Sequence, residues 1–244
     1  MPVGQSEAII LRTQNFAEQD KLVVFFSRDR GLVKGLAKGA RKFNNRFGSS
    51  LEPFSLVKIF YYQKEKQELV VISNCDLIES AFEQLRDFKT ASFLAYLAEL
   101  TEKFSPYEAK EELLYRLLIA VLQATKAGQP IEYLVRYFEV WFLKINGLLP
   151  DFNFCQKCHQ PIKNICWLDQ EKQGVRCPKC VNDKKLEISP SMREAINWIK
   201  KNPPSAPLPT GLRAEDWKNL GQVLQAIIIF HLEEKPRTLN FIDF

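Results

Sequence analysis

Two CxxC pairs, Cys155-Gln156-Lys157-Cys158 and Cys177-Pro178-Lys179-Cys180, constrain the fold of this chain more than any other feature. Eighteen residues lie between them, a gap within the range of zinc-binding knuckles. A two-residue spacer turns both thiolates of a pair toward one point, and two such pairs complete a tetrahedron. The spacing therefore predicts one Zn²⁺ held by Cys155, Cys158, Cys177 and Cys180. Four protein thiolates leave no position for water or substrate, so the predicted role is structural. A zinc tetrathiolate carries −2 and lowers the formal charge of +5 to about +3. Lys157 and Lys179, inside the knuckles, offset that charge locally. Cys75 and Cys166 are left over. Cys166 beside Trp167 reads as a buried thiol, and it and His159 stand as alternative ligands. The competing explanation, two unrelated pairs of buried cysteines, does not account for the paired spacing.

A zinc site raises the question of catalysis. Zinc deaminases carry H-x-E followed by P-C-x-x-C. Here His231-Leu232-Glu233 comes after both knuckles, and Phe154 and Arg176, not prolines, precede them. With two histidines in the chain, a Ser-His-Asp or Cys-His arrangement has few ways to form. Gly31, Gly35 and Gly39 recur among lysines but match neither G-x-G-x-x-G nor the Walker order. No clear cluster of metal-binding carboxylates points to a nuclease. The expectation is a protein that is not an enzyme.

The first eighty residues read as short strands. Ala8–Leu11, Leu22–Phe26 and Leu32–Leu36 are apolar segments between polar or glycine-containing turns. Val57, Ile59 and Tyr61 alternate with Lys58, Phe60 and Tyr62, and Leu69-Val70-Val71-Ile72 follows a charged tip at Lys64-Glu65-Lys66, as in a hairpin. Five such strands predict a small barrel. An OB-fold leads, since it has five strands and commonly binds oligonucleotides; an SH3-like barrel has a similar strand pattern. After Ser80 the period becomes helical. Phe82, Leu85, Phe88, Phe93, Leu97 and Leu100 form one stripe, Leu113–Leu122 a second and Ile131–Ile145 a third, all assigned to core. Gly128 and Gly147 mark helix ends, and Pro130 suits a helix start. Pro190 suits a first turn, with Ser191 and Glu194 as a capping box. Residues 202–209 form a proline-rich extended linker, and a last helix runs from about Arg213 to Glu234. The predicted class is thus α+β and multidomain. It has an OB-type barrel over 1–80, a helical domain in two parts over 81–150 and 189–244, and a zinc module inserted at 151–188. The longest stretch without charge, Asn219–Leu232, is fourteen residues, short of the roughly twenty that span a bilayer. No secretory signal is visible, so a cytoplasmic protein is expected.

Charge is concentrated rather than spread. Arg28, Arg30, Lys34, Lys38, Arg41, Lys42 and Arg46 face a single acid, Asp29, between residues 28 and 46. Such a run is either a solvated face or a polyanion site. Cations neutralise phosphates and release counterions. Phe43 and Phe47, interleaved with them, either stack on unpaired bases or fill the barrel core. These nine residues are the candidate nucleic-acid contacts.

Several segments in order resemble the RecO family of recombination mediators. They are Ile9-Ile10-Leu11-Arg12, Glu18, Leu22-Val23-Val24-Phe25-Phe26-Ser27, Gly31, Lys38-Gly39-Ala40-Arg41 and Leu51-Glu52-Pro53-Phe54. Further along come Arg136-Tyr137-Phe138-Glu139 to Leu143, Gly147, Leu149-Pro150, Cys155-x-x-Cys158, then Leu232-Glu233 and Leu239. The resemblance implies an N-terminal OB-fold, a helical domain and an inserted zinc module. It implies binding of single- and double-stranded DNA, annealing of complementary strands, and action with RecR. It also implies recognition of the acidic tail of single-stranded DNA-binding protein, with RecF and the recombinase as indirect partners. The alternative is a zinc-ribbon protein–protein adaptor whose basic patch meets an acidic partner.

Overall fold

A computed structural model describes residues 3–63, 69–208, 211 and 213–242. The expected hairpin tip Lys64-Glu65-Lys66 and the linker residue Pro209 lie outside the described residues. The chain divides into two compact units, Met1–Leu122 and Gln123–Phe244.

In the first unit β1 (Val3–Phe16), β2 (Asp20–Ser27), β3 (Gly31–Ala37), β4 (Leu56–Tyr62) and β5 (Val70–Glu79) close into a barrel in the order β1-β2-β3-β5-β4. All pairings are antiparallel except the short β3–β5 seam from Gly35↔Val70 to Ala37↔Ile72. This is the OB-like barrel that the strand spacing predicts. Alternate side chains point inward: Ala8, Ile10, Val23, Phe25, Val33, Val57, Ile59, Tyr61, Val70 and Ile72 share one core. Strands β1 and β5 run longer than their apolar segments, because Gln5, Glu7 and Arg12–Asn15 on one, and Asn74 and Asp76 on the other, still pair through backbone.

The outward side of β1–β3 is apolar as well. Ile9, Leu11, Val24, Phe26 and Leu32 lie outside that core yet are buried. Helix α1 (Phe88–Phe104) lies against β1, and Arg12 grips Glu102 with two hydrogen bonds of 3.0 and 2.9 Å. The chain after α1 runs beside β3: Tyr107 bridges Leu32, and the Glu108 N–H donates to the Leu32 carbonyl at 2.9 Å. Gly31 makes this approach possible, since a Cβ there would collide with the Ala109 carbonyl oxygen.

Helix α1 begins later than its stripe suggests. Asp87 caps it by accepting from the Thr90 N–H at 2.8 Å. Phe82 and Phe88 therefore fall before and at its first turn and are 59% and 71% exposed. They are surface residues, and so is Leu113 of α2 (Glu112–Lys126).

In the second unit α3 (Ile131–Ile145) packs with α4 (Pro190–Ile199) and α5 (Ala214–Leu232). Tyr133 makes edge contacts with Tyr137, Trp198 and Trp217, and Trp141 Nε1 donates to the Ile199 carbonyl at 3.2 Å. Gly128 and Gly147 end their helices with φ of +78° and +70°. Ser189, not Ser191, caps α4: its Oγ accepts from the Met192 N–H at 3.2 Å, with Pro190 at the first helical position. Ser191 instead donates to Asp216, so the expected Ser191–Glu194 box does not form.

Arg136 and Glu139 of α3 look like surface charges but are 4% and 0% exposed, paired at 3.0 Å. Gly221 of α5 faces Arg136, and a Cβ there would overlap Nη1. Breaking a buried pair costs about 3–5 kcal/mol, against about 1 kcal/mol gained by alanine over glycine in a helix. Gly221→Ala should thus lower the unfolding free energy by about 3 kcal/mol in a urea titration.

Candidate functional site

The candidate metal site is built on a small three-stranded sheet in the order β7-β6-β8, with β6 at Cys166–Leu168, β7 at Val175–Arg176 and β8 at Glu187–Ile188. The β6–β7 hairpin pairs Trp167 with Arg176 and Leu168 with Val175. Asp169 Oδ1 closes its loop by accepting from the Gln173 and Gly174 N–H groups at 3.0 and 3.3 Å. The hairpin delivers Cys177 to the first knuckle, where Cys155 bridges Val175 and the Gln156 N–H donates to the Val175 carbonyl at 2.9 Å. Each knuckle is a tight turn: the His159 N–H returns to the Cys155 carbonyl at 2.8 Å, and the Cys180 N–H to the Cys177 carbonyl at 2.9 Å. Arg193 of α4 anchors the module by donating to the carbonyls of Ile162, Lys163 and Asn164.

The sulfurs of Cys155, Cys158, Cys177 and Cys180 all lie within 4.8 Å of one another. Cys158 and Cys177 are 3.8 Å apart, which matches the edge of a tetrahedron of about 3.8 Å for a Zn–S bond of about 2.3 Å. This donor set fits a thiophilic cation. Burial pushes the Cys155 thiol up, but N–H groups of Cys177, Cys158 and Lys157 aimed at its sulfur outweigh that and bring it down to about 6. The same N–H groups can stabilise a metal-bound thiolate. Cys166 is outside the cluster. It is buried, donates toward the Ile188 carbonyl, and its thiol is pushed up to about 11 by burial. Among the described residues the metal-ligand group contains neither Cys166 nor His159. Cys75 sits in the barrel core with its thiol likewise raised to about 11 by burial.

The basic run of the first unit is split by the barrel. Arg28 and Arg30 sit on the β2–β3 turn, whereas Lys38, Arg41, Lys42 and Arg46 follow the far end of β3, about 20 Å away for seven strand residues. Arg28 pairs with Glu7 and Glu112 at 3.4 and 3.8 Å, and Arg30 with Glu108 at 2.6 Å. Lys34, midway, lies over the Tyr107 ring. At the far end Arg41 Nη1 donates to the Ala17 and Glu18 carbonyls at 3.0 and 2.9 Å, and Arg46 lies over the Phe47 ring. Lys38 and Lys42 are exposed and make no ion pair among the described residues.

The two phenylalanines part company. Phe47 is 3% exposed and belongs to the barrel core, so it is not available to stack on a base. Asn45 accounts for the difference: its Oδ1 accepts from the Phe47 and Gly48 N–H groups, turning the chain so that Phe47 enters the core. Phe43, four residues earlier, is fully exposed. The sequence reading missed Phe16 at the end of β1, which is 43% exposed and precedes the β1–β2 turn that Arg41 grips. Its signal was its place between the polar run Arg12–Asn15 and the turn.

Comparison with known proteins covers nearly the whole chain. Residues 1–81 match the family model described as Recombination protein O N terminal, and residues 85–240 the one described as Recombination protein O C terminal. The chain is 32% identical over 246 residues to DNA repair protein RecO of Koribacter versatilis (strain Ellin345), covering 98% of each. It is 28% identical over 244 residues to DNA repair protein RecO of Caldicellulosiruptor saccharolyticus, again covering 98% of each. Identity to DNA repair protein RecO of Dehalococcoides mccartyi (strain BAV1) is 27% over 241 residues, with 98% of this chain and 94% of the relative covered.

Proposed function

Since this chain belongs to the RecO family of DNA repair proteins, we propose that it is a recombination mediator that binds single- and double-stranded DNA and acts without bond chemistry. The observation that carries this reading is the cation cluster at one barrel end, where Lys38 and Lys42 are exposed and unneutralised among the described residues. Lys38, Arg41, Lys42 and Arg46 contact phosphates, releasing counterions. Arg28 and Arg30, held by carboxylates at the opposite end, are secondary. A surface of this kind lowers the repulsion between two strands and lets base pairing supply the energy of annealing.

Cys155, Cys158, Cys177 and Cys180 hold one structural zinc, which fixes the β6–β7 hairpin. The mediator works in the cytoplasm, at the nucleoid, with RecR. It recognises single-stranded DNA-binding protein through that protein's acidic tail, and so helps recombinase, with RecF, onto coated strands. The test is annealing of two complementary oligonucleotides, one coated by single-stranded DNA-binding protein. The expected result is a rate well above the protein-free control. A rate equal to that control, with no binding to bare oligonucleotide, would favour an adaptor that meets an acidic protein.

A further inference from the structure

Phe16 and Phe43 are exposed by 43% and 100% and lie outside the barrel core. The segments that carry them are tied to each other. The β1–β2 tip is tied to the segment after β3 by four hydrogen bonds. Arg41 Nη1 donates to the carbonyls of Ala17 and Glu18, the Arg41 N–H donates to the Gln19 carbonyl at 2.9 Å, and the Gly39 N–H donates to Asp20 Oδ1 at 2.8 Å. Phe16 adjoins one side of this tie, and Phe43 follows the other side by two residues. The β2–β3 outer face, which barrels of this class commonly offer to oligonucleotides together with the β1–β2 loop, is closed at one end, where Val24, Phe26 and Leu32 are buried, and half-buried toward the β1–β2 loop, at Leu22, Lys34 and Leu36. The β1–β2 loop end is the more open part, and the segments that carry the two rings and the unpaired cations are tied together there.

From this placement we propose that Phe16 and Phe43 form a stacking platform for unpaired bases, flanked by Lys38, Lys42 and Arg46 for the sugar–phosphate chain, and that this pair makes the barrel end bind single strands more tightly than duplex. The proposal rests on the barrel end being the nucleic-acid site. A ring can stack on a base only if the base face is free. In a duplex both faces are already covered by neighbours, so the rings add nothing there and the cations act alone. Glu18, at the tip, opposes a phosphate chain passing over it and directs that chain toward Lys38 and Lys42.

Binding of fluorescent oligothymidine and of a duplex of equal length, measured by anisotropy, tests this. Phe16→Ala and Phe43→Ala should each weaken oligothymidine binding about tenfold and leave duplex binding within about twofold of the parent, while Phe43→Tyr keeps the preference. Phe43→Trp adds the first tryptophan to residues 1–122, since the other four are Trp141, Trp167, Trp198 and Trp217. Its emission should be quenched by oligothymidine and not by duplex. Equal losses on both ligands, or no loss on either, overturn the platform. If the alanine variants match the parent while reversal of Lys38 and Lys42 abolishes binding, the charge reading survives and the stacking reading falls. A parent protein that binds neither ligand removes both.

Discussion

Removing zinc from the purified protein, by chelation or by Cys155→Ser, should lower the melting midpoint of the Gln123–Phe244 unit by about 15 °C. The four tryptophans all lie in that unit, so emission excited selectively from tryptophan reports its unfolding alone. A metal held at a thousand times its dissociation constant stabilises by about 4 kcal/mol, and a domain of this size shifts by about 4 °C per kcal/mol. The hairpin that carries Cys177 buries Trp167, Leu168 and Val175, but the sulfurs of Cys158 and Cys180 are held to it through the cluster, so the knuckles loosen when the metal leaves. Arg193 passes the loss on to α4, because its three carbonyl acceptors lie in the loop between the knuckles. Cys166→Ser is the contrasting variant. That thiol is outside the cluster, so metal analysis should still find one zinc per chain. Protein purified without chelator and lacking zinc would contradict the assignment.

Reversing Lys38, Arg41 and Lys42 to Glu should weaken binding to single-stranded DNA on the order of 100-fold at low salt, because three phosphate contacts become repulsions. It should also flatten the salt dependence. Each lost contact removes about 0.7 from the slope of log K against log salt on single strands and about 0.9 on duplex. The expected change is therefore about 2 on single strands and about 2.7 on duplex. Arg41 also ties two loops together, so the Lys38→Glu, Lys42→Glu double variant separates charge from architecture, with an expected change of about 1.4 on single strands. Arg28→Ala, at the carboxylate-neutralised end, should leave the slope unchanged. Filter binding over a salt series measures all four.

The parts legible in the sequence were those fixed by local spacing. The CxxC pairs name their own ligands because a two-residue turn aims both sulfurs at one point. The barrel strands were legible where apolar residues alternate, and their polar extensions were not, since backbone pairing at Arg12–Asn15 leaves no side-chain signature. Ser189 was within reach: proline at the first helical position leaves the residue before it as the cap. What depended on distant residues was hidden. Arg28 and Arg30 look like free cations until Glu108 and Glu112, some eighty residues on, neutralise them. Phe43 and Phe47 are indistinguishable by type, and only the Asn45 turn decides which enters the core. Arg136 and Glu139 carry surface chemistry into the interior because Gly221 leaves room.

The most direct measurement is titration of the unmodified protein against a bare single-stranded oligonucleotide over a range of ionic strength. Four contacts, from Lys38, Arg41, Lys42 and Arg46, predict affinity that falls linearly on a log–log plot with a slope of about −3. Absence of binding at low ionic strength, or affinity indifferent to salt, would contradict the barrel end as a polyanion site.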